Sequence, residues 1–215
     1  MQGPPDWWKK WKPLRWLAGI GALAALGGAV APYFIEVGVE ASPEALEKTL
    51  TYSTPSGTPV ALLDQFKSYD KPEQVEEALS AAGYAPTLTR NRKPRSKNYP
   101  PRDLDSLVVI NYKHLGVEGR LDLVFFNGAL MQAIFDVYKA APYAEALGAA
   151  EPGLKRDRLG TAELRDGDRR VLTNIFFSAG AVGRAAGSEG WAMWQDTGLV
   201  KLASEWEAQF GLVTP

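Results

Sequence analysis

The sequence predicts an α+β protein: antiparallel β-meander sheet(s) packed on two or three helices, preceded by one N-terminal transmembrane helix. Three observations predict it. Residues 107–137 are dense in β-branched and aromatic residues and contain the hairpin pair Asn127-Gly128. Amphipathic stretches with helix start and stop signals flank the strand-rich region, at 71–82 and 199–211. Trp16–Ile35 runs for 20 residues without a charge. At about 1.5 Å rise per residue such a helix is about 30 Å long, the thickness of a bilayer core.

The elements follow in chain order. Residues 1–15 form a basic, Trp-rich segment, with Lys9, Lys10, Lys12 and Arg15 against Asp6. Trp7, Trp8, Trp11 and Trp16 are four of the seven tryptophans, and indoles at a span's edge prefer the head-group layer. Residues 16–35 are the anchor. Basic residues before it and Glu36 and Glu40 after it place the amino terminus in the cytoplasm and the rest outside. Two alternatives stay open: a cleaved signal peptide ending at Ala29-Val30-Ala31, where Pro32 opposes cleavage, or a buried soluble helix. Gly21, Ala25 and Ala29 make a small-residue stripe along the span, which export segments also use.

Residues 36–69 are a juxtamembrane segment with a helix start at Ser42-Pro43-Glu44 and a turn-rich stretch from Thr51 to Pro59. Residues 70–215 are the extracytoplasmic α+β domain. Asp70-Lys71-Pro72-Glu73 opens a helix with capping-box spacing, and Gly83 stops it. A loop from Pro86 to Asp105 follows. Strands are expected at Leu107–Lys113, Arg120–Phe126 and Ala129–Val137, covered by the helix at 71–82. A short helical piece near Tyr143–Leu147 precedes a hairpin, Thr161–Arg165 and Arg169–Ser178, around an Asp166-Gly167 turn. A Gly/Ala-rich loop, a strand at Trp191–Gln195 and a final helix with Leu199, Leu202, Trp206 and Phe210 on one side complete the chain. The two blocks read as mirror images: helix then strands, strands then helix.

The stretch Asp70–Phe135 resembles the small envelope lipoprotein domain called SmpA/OmlA, found in the outer-membrane β-barrel assembly machine. The resemblance rests on Pro72-Glu73-Gln74-Val75 with Leu79, the Gly83-x-x-Pro86 exit, Tyr112, the Gly116-x-x-Gly119 turn, and Leu121-x-Leu123-x-Phe125 before Asn127-Gly128. It implies helices on a three-stranded antiparallel sheet and a non-enzymatic assembly role. The chain lacks that family's lipidated cysteine, and a long basic loop separates its helix from its sheet. No functional residue is carried over.

Composition narrows the chemistry. The absence of cysteine excludes disulfides, cysteine–zinc sites and thiol catalysis. A single histidine, His114, leaves little for metal binding. Asp122 and Glu118 are near it in sequence, and a His–carboxylate pair can do acid–base work, but such a residue reads first as strand-end structure. All charges except Lys9, Lys10, Lys12, Arg15 and Asp6 fall after residue 35, so that region carries 20 Lys+Arg against 24 Asp+Glu and does not resemble a nucleic-acid binder. Its best binding candidate is the loop at 90–102, with Arg90, Arg92, Lys93, Arg95, Lys97 and Arg102 and no acid. Guanidinium groups pair with phosphate and carboxylate, so anionic head groups, an acidic polymer or an acidic protein face would suit it. Asp166-Gly167-Asp168 is too short for a calcium loop. Trp191, Trp194 and Trp206 with Phe176 and Phe177 would line an aromatic groove if they converged, although aromatics at such spacing are usually core.

These features point to a membrane-anchored extracytoplasmic interaction or assembly module of a bacterial-type cell envelope. It would be single-pass in the inner membrane, non-catalytic, without cofactor or metal, held by lipid through its N-terminal helix and partnered by an envelope protein. The alternatives are an envelope-polymer hydrolase using paired carboxylates such as Asp122, Asp136 or Glu118, and a cleaved soluble periplasmic ligand-binding protein.

Overall fold

Eight antiparallel strands form one sheet in the order β1-β2-β3-β4-β8-β7-β6-β5. The computed structural model describes residues 51–93, 99–158, 161–176 and 184–211. The anchor at 16–35 and the interface tryptophans Trp7, Trp8, Trp11 and Trp16 therefore lie outside the described residues. Among the described residues no helix is long and apolar enough to cross a membrane. The strands are β1 (Thr87–Thr89), β2 (Leu104–His114), β3 (Val117–Phe126), β4 (Ala129–Val137), β5 (Lys155–Arg156), β6 (Ala162–Asp166), β7 (Arg169–Thr173) and β8 (Gly190–Asp196). The described helices are α1 (Pro72–Ala81), α2 (Ala140–Ala150) and α3 (Thr197–Phe210).

Local chemistry explains most of the boundaries. Two-residue turns join β2 to β3 and β3 to β4, with Leu115 and Gly116 at φ 50 and 78 and Asn127 and Gly128 at φ 48 and 75. Paired left-handed residues are what a type I′ turn requires, and its twist matches that of the flanking strands. Asn127 also ties distant chain together. Its Nδ2 donates to the carbonyls of Tyr52 (2.6 Å) and Pro101 (2.9 Å), and its Oδ1 accepts from the Asp103 amide (2.7 Å). At the start of α1 the Asp70 carboxylate accepts from the Lys67 amide at 2.8 Å, so the helix cap is Lys71 and not Asp70. At α3 the Asp196 carboxylate accepts from the Leu199 amide at 3.0 Å, satisfying one of the orphan donors of a helix start.

The strand block at 107–137 forms as the alternation predicts, with Ala129–Val137 at the expected bounds. Two edge strands, β1 and β5, were not expected, and α2 is longer than the piece foreseen near Tyr143–Leu147. The mirror-image reading is corrected. Each block is a helix followed by four strands, α1-β1-β2-β3-β4 and then α2-β5-β6-β7-β8, and the two last strands, β4 and β8, pair antiparallel at the centre. The sheet is one rather than two because this central pairing is long, from Gln132↔Gln195 to Val137↔Gly190.

The two faces of the sheet differ. On the first, Leu107, Val109, Leu121, Leu123, Phe135 and Trp194 pack with Val75 and Leu79 of α1, Tyr143 and Leu147 of α2, and Leu62, Leu63 and Phe66 of a small turn at 60–68. On the second, α3 covers one end through Leu199 and Trp206, against Phe126, Ala129 and Met131. β4 carries no exposed residue; Leu130, Ala133, Phe135 and Val137 belong to the first cluster and Ala129 and Met131 to the second, while Gln132, Ile134 and Asp136 are buried on the second face outside both.

Candidate functional site

The sequence-predicted basic loop is anchored by the protein's own acids. Arg90 donates to Glu73 at 2.8 Å and lies 3.6 Å from Asp105. Arg92 lies 3.9 Å from Asp103 and 3.7 Å from Asp105. Arg102 is buried, ion-paired with Glu207, and stacks 5.6 Å from the Trp206 ring. Lys93 sits 5.4 Å from the same ring, and burial, then the neighbouring Arg102, pull its pKa down. The Trp206 indole donates to the Pro100 carbonyl at 3.1 Å. These four cations thus fasten the loop to α1, β2 and α3. Arg95 and Lys97 lie outside the described residues.

The second face of the sheet extends beyond α3, with Gln132, Ile134, Asp136 and Gln195 buried along its middle. Pairing register lines up rows of side chains there. One row crosses all eight strands: Thr87, Val108, Asp122, Ile134, Met193, Leu172, Glu163 and Lys155. The next holds Thr89, Ser106, Val124, Gln132, Gln195, Arg170 and Arg165. A third, shorter row is Arg120, Asp136 and Trp191. At about 4.8 Å per strand the face is about 34 Å wide. Val108, Val124, Leu172, Met193 and Trp191 are half-buried, and Ile110, at the edge of the face, is 66% exposed.

The polar residues of this face are locked to one another. Gln195 donates to Gln132 at 2.8 Å across the central strand pair. Arg170 donates to Glu163 at 2.9 Å and reaches Gln195 at 3.5 Å. Arg120 donates to Asp122 at 2.8 Å. The result is a flat, preorganised lattice with apolar side chains between paired charges.

Register also brings together two of the acids suggested for hydrolysis. Asp136 is opposite Arg120, and Asp122 is diagonal to Asp136 on the same face. Asp136 is 1% exposed, and its Oδ1 accepts from the Arg184 amide at 2.9 Å. Burial raises its pKa against the opposing pull of that amide and of Arg184. Its carboxyl therefore secures the chain at 184 to the sheet instead of facing solvent. Glu118 is exposed and 3.6 Å from Lys113. A raised carboxyl pKa opposes folding as pH climbs through it, and the effect is absent well below the ordinary value. Asp136→Asn, which keeps an acceptor for Arg184, is expected to raise the melting temperature at pH 7. The gain should shrink towards pH 4, as read from melts across that range.

His114 ends β2, as the sequence suggested, but it does not meet the acids near it in sequence. It lies on the first face, away from Asp122 and Glu118. Its Nδ1 is 2.7 Å from the Tyr143 hydroxyl, and its Nε2 is 3.6 Å from Asp64 Oδ1. Tyr112 donates to Asp64 Oδ2 at 2.7 Å. The rings of Phe135, Tyr143 and Trp194 surround the imidazole at 5.2–5.6 Å. Sequence reasoning missed this cluster because Asp64 sits in a turn 50 residues upstream of His114. The three tryptophans do not converge: Trp191 is on the second face, Trp194 is in the first core and Trp206 is under the basic loop. Phe176 is stacked by Arg156 at 3.8 Å, and Phe177 lies outside the described residues. Among the described residues no group of His, Asp and Glu is placed to hold a metal.

No family model and no curated protein matches the chain. The reading of its function rests on the surface just described.

Proposed function

We propose that this chain is a membrane-anchored extracytoplasmic interaction module that presents the second face of its sheet to a protein partner in the cell envelope. The observation that carries the reading is the set of aligned rows on that face, in which half-buried apolar side chains, Val108, Val124, Leu172, Met193 and Trp191, lie among paired polar groups on either side of a buried central strip. A lipid surface would call for a continuous apolar or net basic patch. A nucleic acid would call for unpaired cations. Apolar groups set among self-paired polar ones instead suit a protein interface, where aliphatic and aromatic anchors bind and preorganised polar groups fix register. The uncharged run at 16–35 supplies the tether, and the basic flank at 1–15 supplies the orientation. Because Arg90, Arg92 and Arg102 face internal acids, an anionic polymer at the basic loop is the less supported partner.

The test uses the full chain in membranes. A photo-crosslinking residue at Met193 is expected to capture one envelope protein from detergent-solubilised membranes. Leu172→Glu, at a half-buried position on this face, is expected to reduce that capture about tenfold, equivalent to about 1.4 kcal/mol. Capture unchanged by Leu172→Glu would refute the face. A reporter fused to the carboxyl end and active only in the cytoplasm would refute the location.

A further inference from the structure

We propose that His114 is an acid-operated latch. When neutral, it accepts the hydroxyl hydrogen bond that holds α2 against the sheet, and when protonated it releases α2. The donors and acceptors permit only one arrangement. Tyr143 is fully buried, and among the described residues its hydroxyl has His114 Nδ1 as its one hydrogen-bond partner, at 2.7 Å. A buried hydroxyl proton needs an acceptor, so the hydroxyl donates to Nδ1 and the ring proton resides on Nε2. That proton points at Asp64 Oδ1, 3.6 Å away, while Tyr112 donates to Asp64 Oδ2 at 2.7 Å. At 3.6 Å the Asp64 contact is electrostatic and not a hydrogen bond, so the bond that depends on the neutral ring is the one from α2 to β2.

A second proton, on Nδ1, would meet the Tyr143 hydroxyl hydrogen head-on. The hydroxyl would have to turn into the rings of Phe135 and Trp194, where no acceptor replaces the imidazole. The groups facing His114 from each packed element set the balance. From the 60–68 turn there is Asp64, which favours the charged ring but is partly solvated. From its own strand there is Tyr112. From α2 there are Tyr143 and Glu151, and the Glu151 charge is already neutralised by Arg169 of β7. β4 and β8 contribute only aromatic surface. Burial outweighs the carboxylates, and the imidazole is held below its ordinary pKa. The released form, with the ring in water, takes the proton first. The latch is thus closed above the ordinary histidine pKa of about 6.5 and weakens as pH falls from there to the depressed value.

α2 buries only Tyr143 and Leu147. The turn at 60–68 stays in place, because Leu62, Leu63 and Phe66 are buried in the first core, Tyr112 holds Asp64, and Arg169 donates to the Ala61 carbonyl at 2.9 Å. Opening α2 exposes part of the apolar first face and leaves the lattice on the second face in place.

The test is amide hydrogen exchange on the full chain between pH 7.5 and 5, corrected for the intrinsic pH dependence of exchange. Opening of 140–150, relative to β3 and to 60–68, is expected to rise about tenfold per pH unit within the window. His114→Gln, which can accept from Tyr143 and donate to Asp64 but cannot titrate, is expected to abolish that rise. In parallel, the His114 ring resonances of the wild-type chain are expected to titrate below about 6.5. Equal acid sensitivity in the wild type and His114→Gln would overturn the latch. So would a His114 midpoint at or above the ordinary value, and this second measurement needs no variant to fold.

Discussion

Phe135→Ala is expected to destabilise the protein by about 3–5 kcal/mol, the largest effect of any single truncation proposed for this chain. Phe135 is fully buried at the centre of the sheet, in β4. Its ring lies 6.4 Å from Tyr112, 5.6 Å from His114 and 5.1 Å from Tyr143, so it touches both the sheet and α2. It also lies over Gly119 on β3, where any Cβ would drive into the ring and into the Asp136 carbonyl. That bare α-carbon shows that the site is filled to its limit, and a glycine backbone cannot collapse into the void that an alanine would leave. The lost transfer energy and an unrelaxed cavity therefore add. A domain of this size shifts its melting temperature by about 2–4 °C per kcal/mol, so a fall of about 10 °C is expected. A loss under about 1 kcal/mol in urea unfolding would show that the core around β4 repacks freely, contrary to the packing described.

Glu151→Ala is expected to cost about 2–4 kcal/mol, because it strands a buried cation. Glu151 caps α2 and takes both terminal nitrogens of Arg169, with side-chain exposures of only 16% and 18%. It also accepts from the Trp194 indole at 3.3 Å. Removing it leaves a guanidinium and an indole N–H short of an acceptor, and each missing bond carries a desolvation penalty. The figure sits below the full range for a buried pair because one-sixth of each side chain still meets water. Lys201–Glu205 on α3 is the internal control. It spans 3.8 Å at 76% and 51% exposure, and Lys201→Ala is expected to cost under about 0.5 kcal/mol. Denaturant unfolding of the two variants side by side checks the contrast, and equal losses would contradict it.

The sequence was most legible where structure is local. Asn127-Gly128 announced its hairpin because both residues tolerate left-handed backbone. β4 was placed to the residue, and α3 was anticipated from Leu199, Trp206 and the glycine after Phe210. The edge strands β1 and β5 were not legible. Three residues such as Thr87–Thr89 carry no periodicity of their own, and they become a strand only through pairing with Ser106–Val108. The single sheet was likewise hidden, since nothing near Gln132 says that it will meet Gln195. The site followed the same division. The alternation in β2, β3 and β4 announced a meander with α1 as its cover, but not that α2 would join α1 on that face and leave Val108, Val124 and Ile134 on the other. The basic loop was visible as charge, while the acids that engage it, Glu73, Asp103, Asp105 and Glu207, are scattered from α1 to α3.

The repeated order of one helix and four strands has a consequence for how such a molecule could arise. β4 and β8 meet antiparallel about the middle of the sheet, and in that geometry a strand can pair with an identical copy of itself. A polypeptide of half this length would therefore have possessed a self-complementary border and could have closed the same sheet as a symmetric pair.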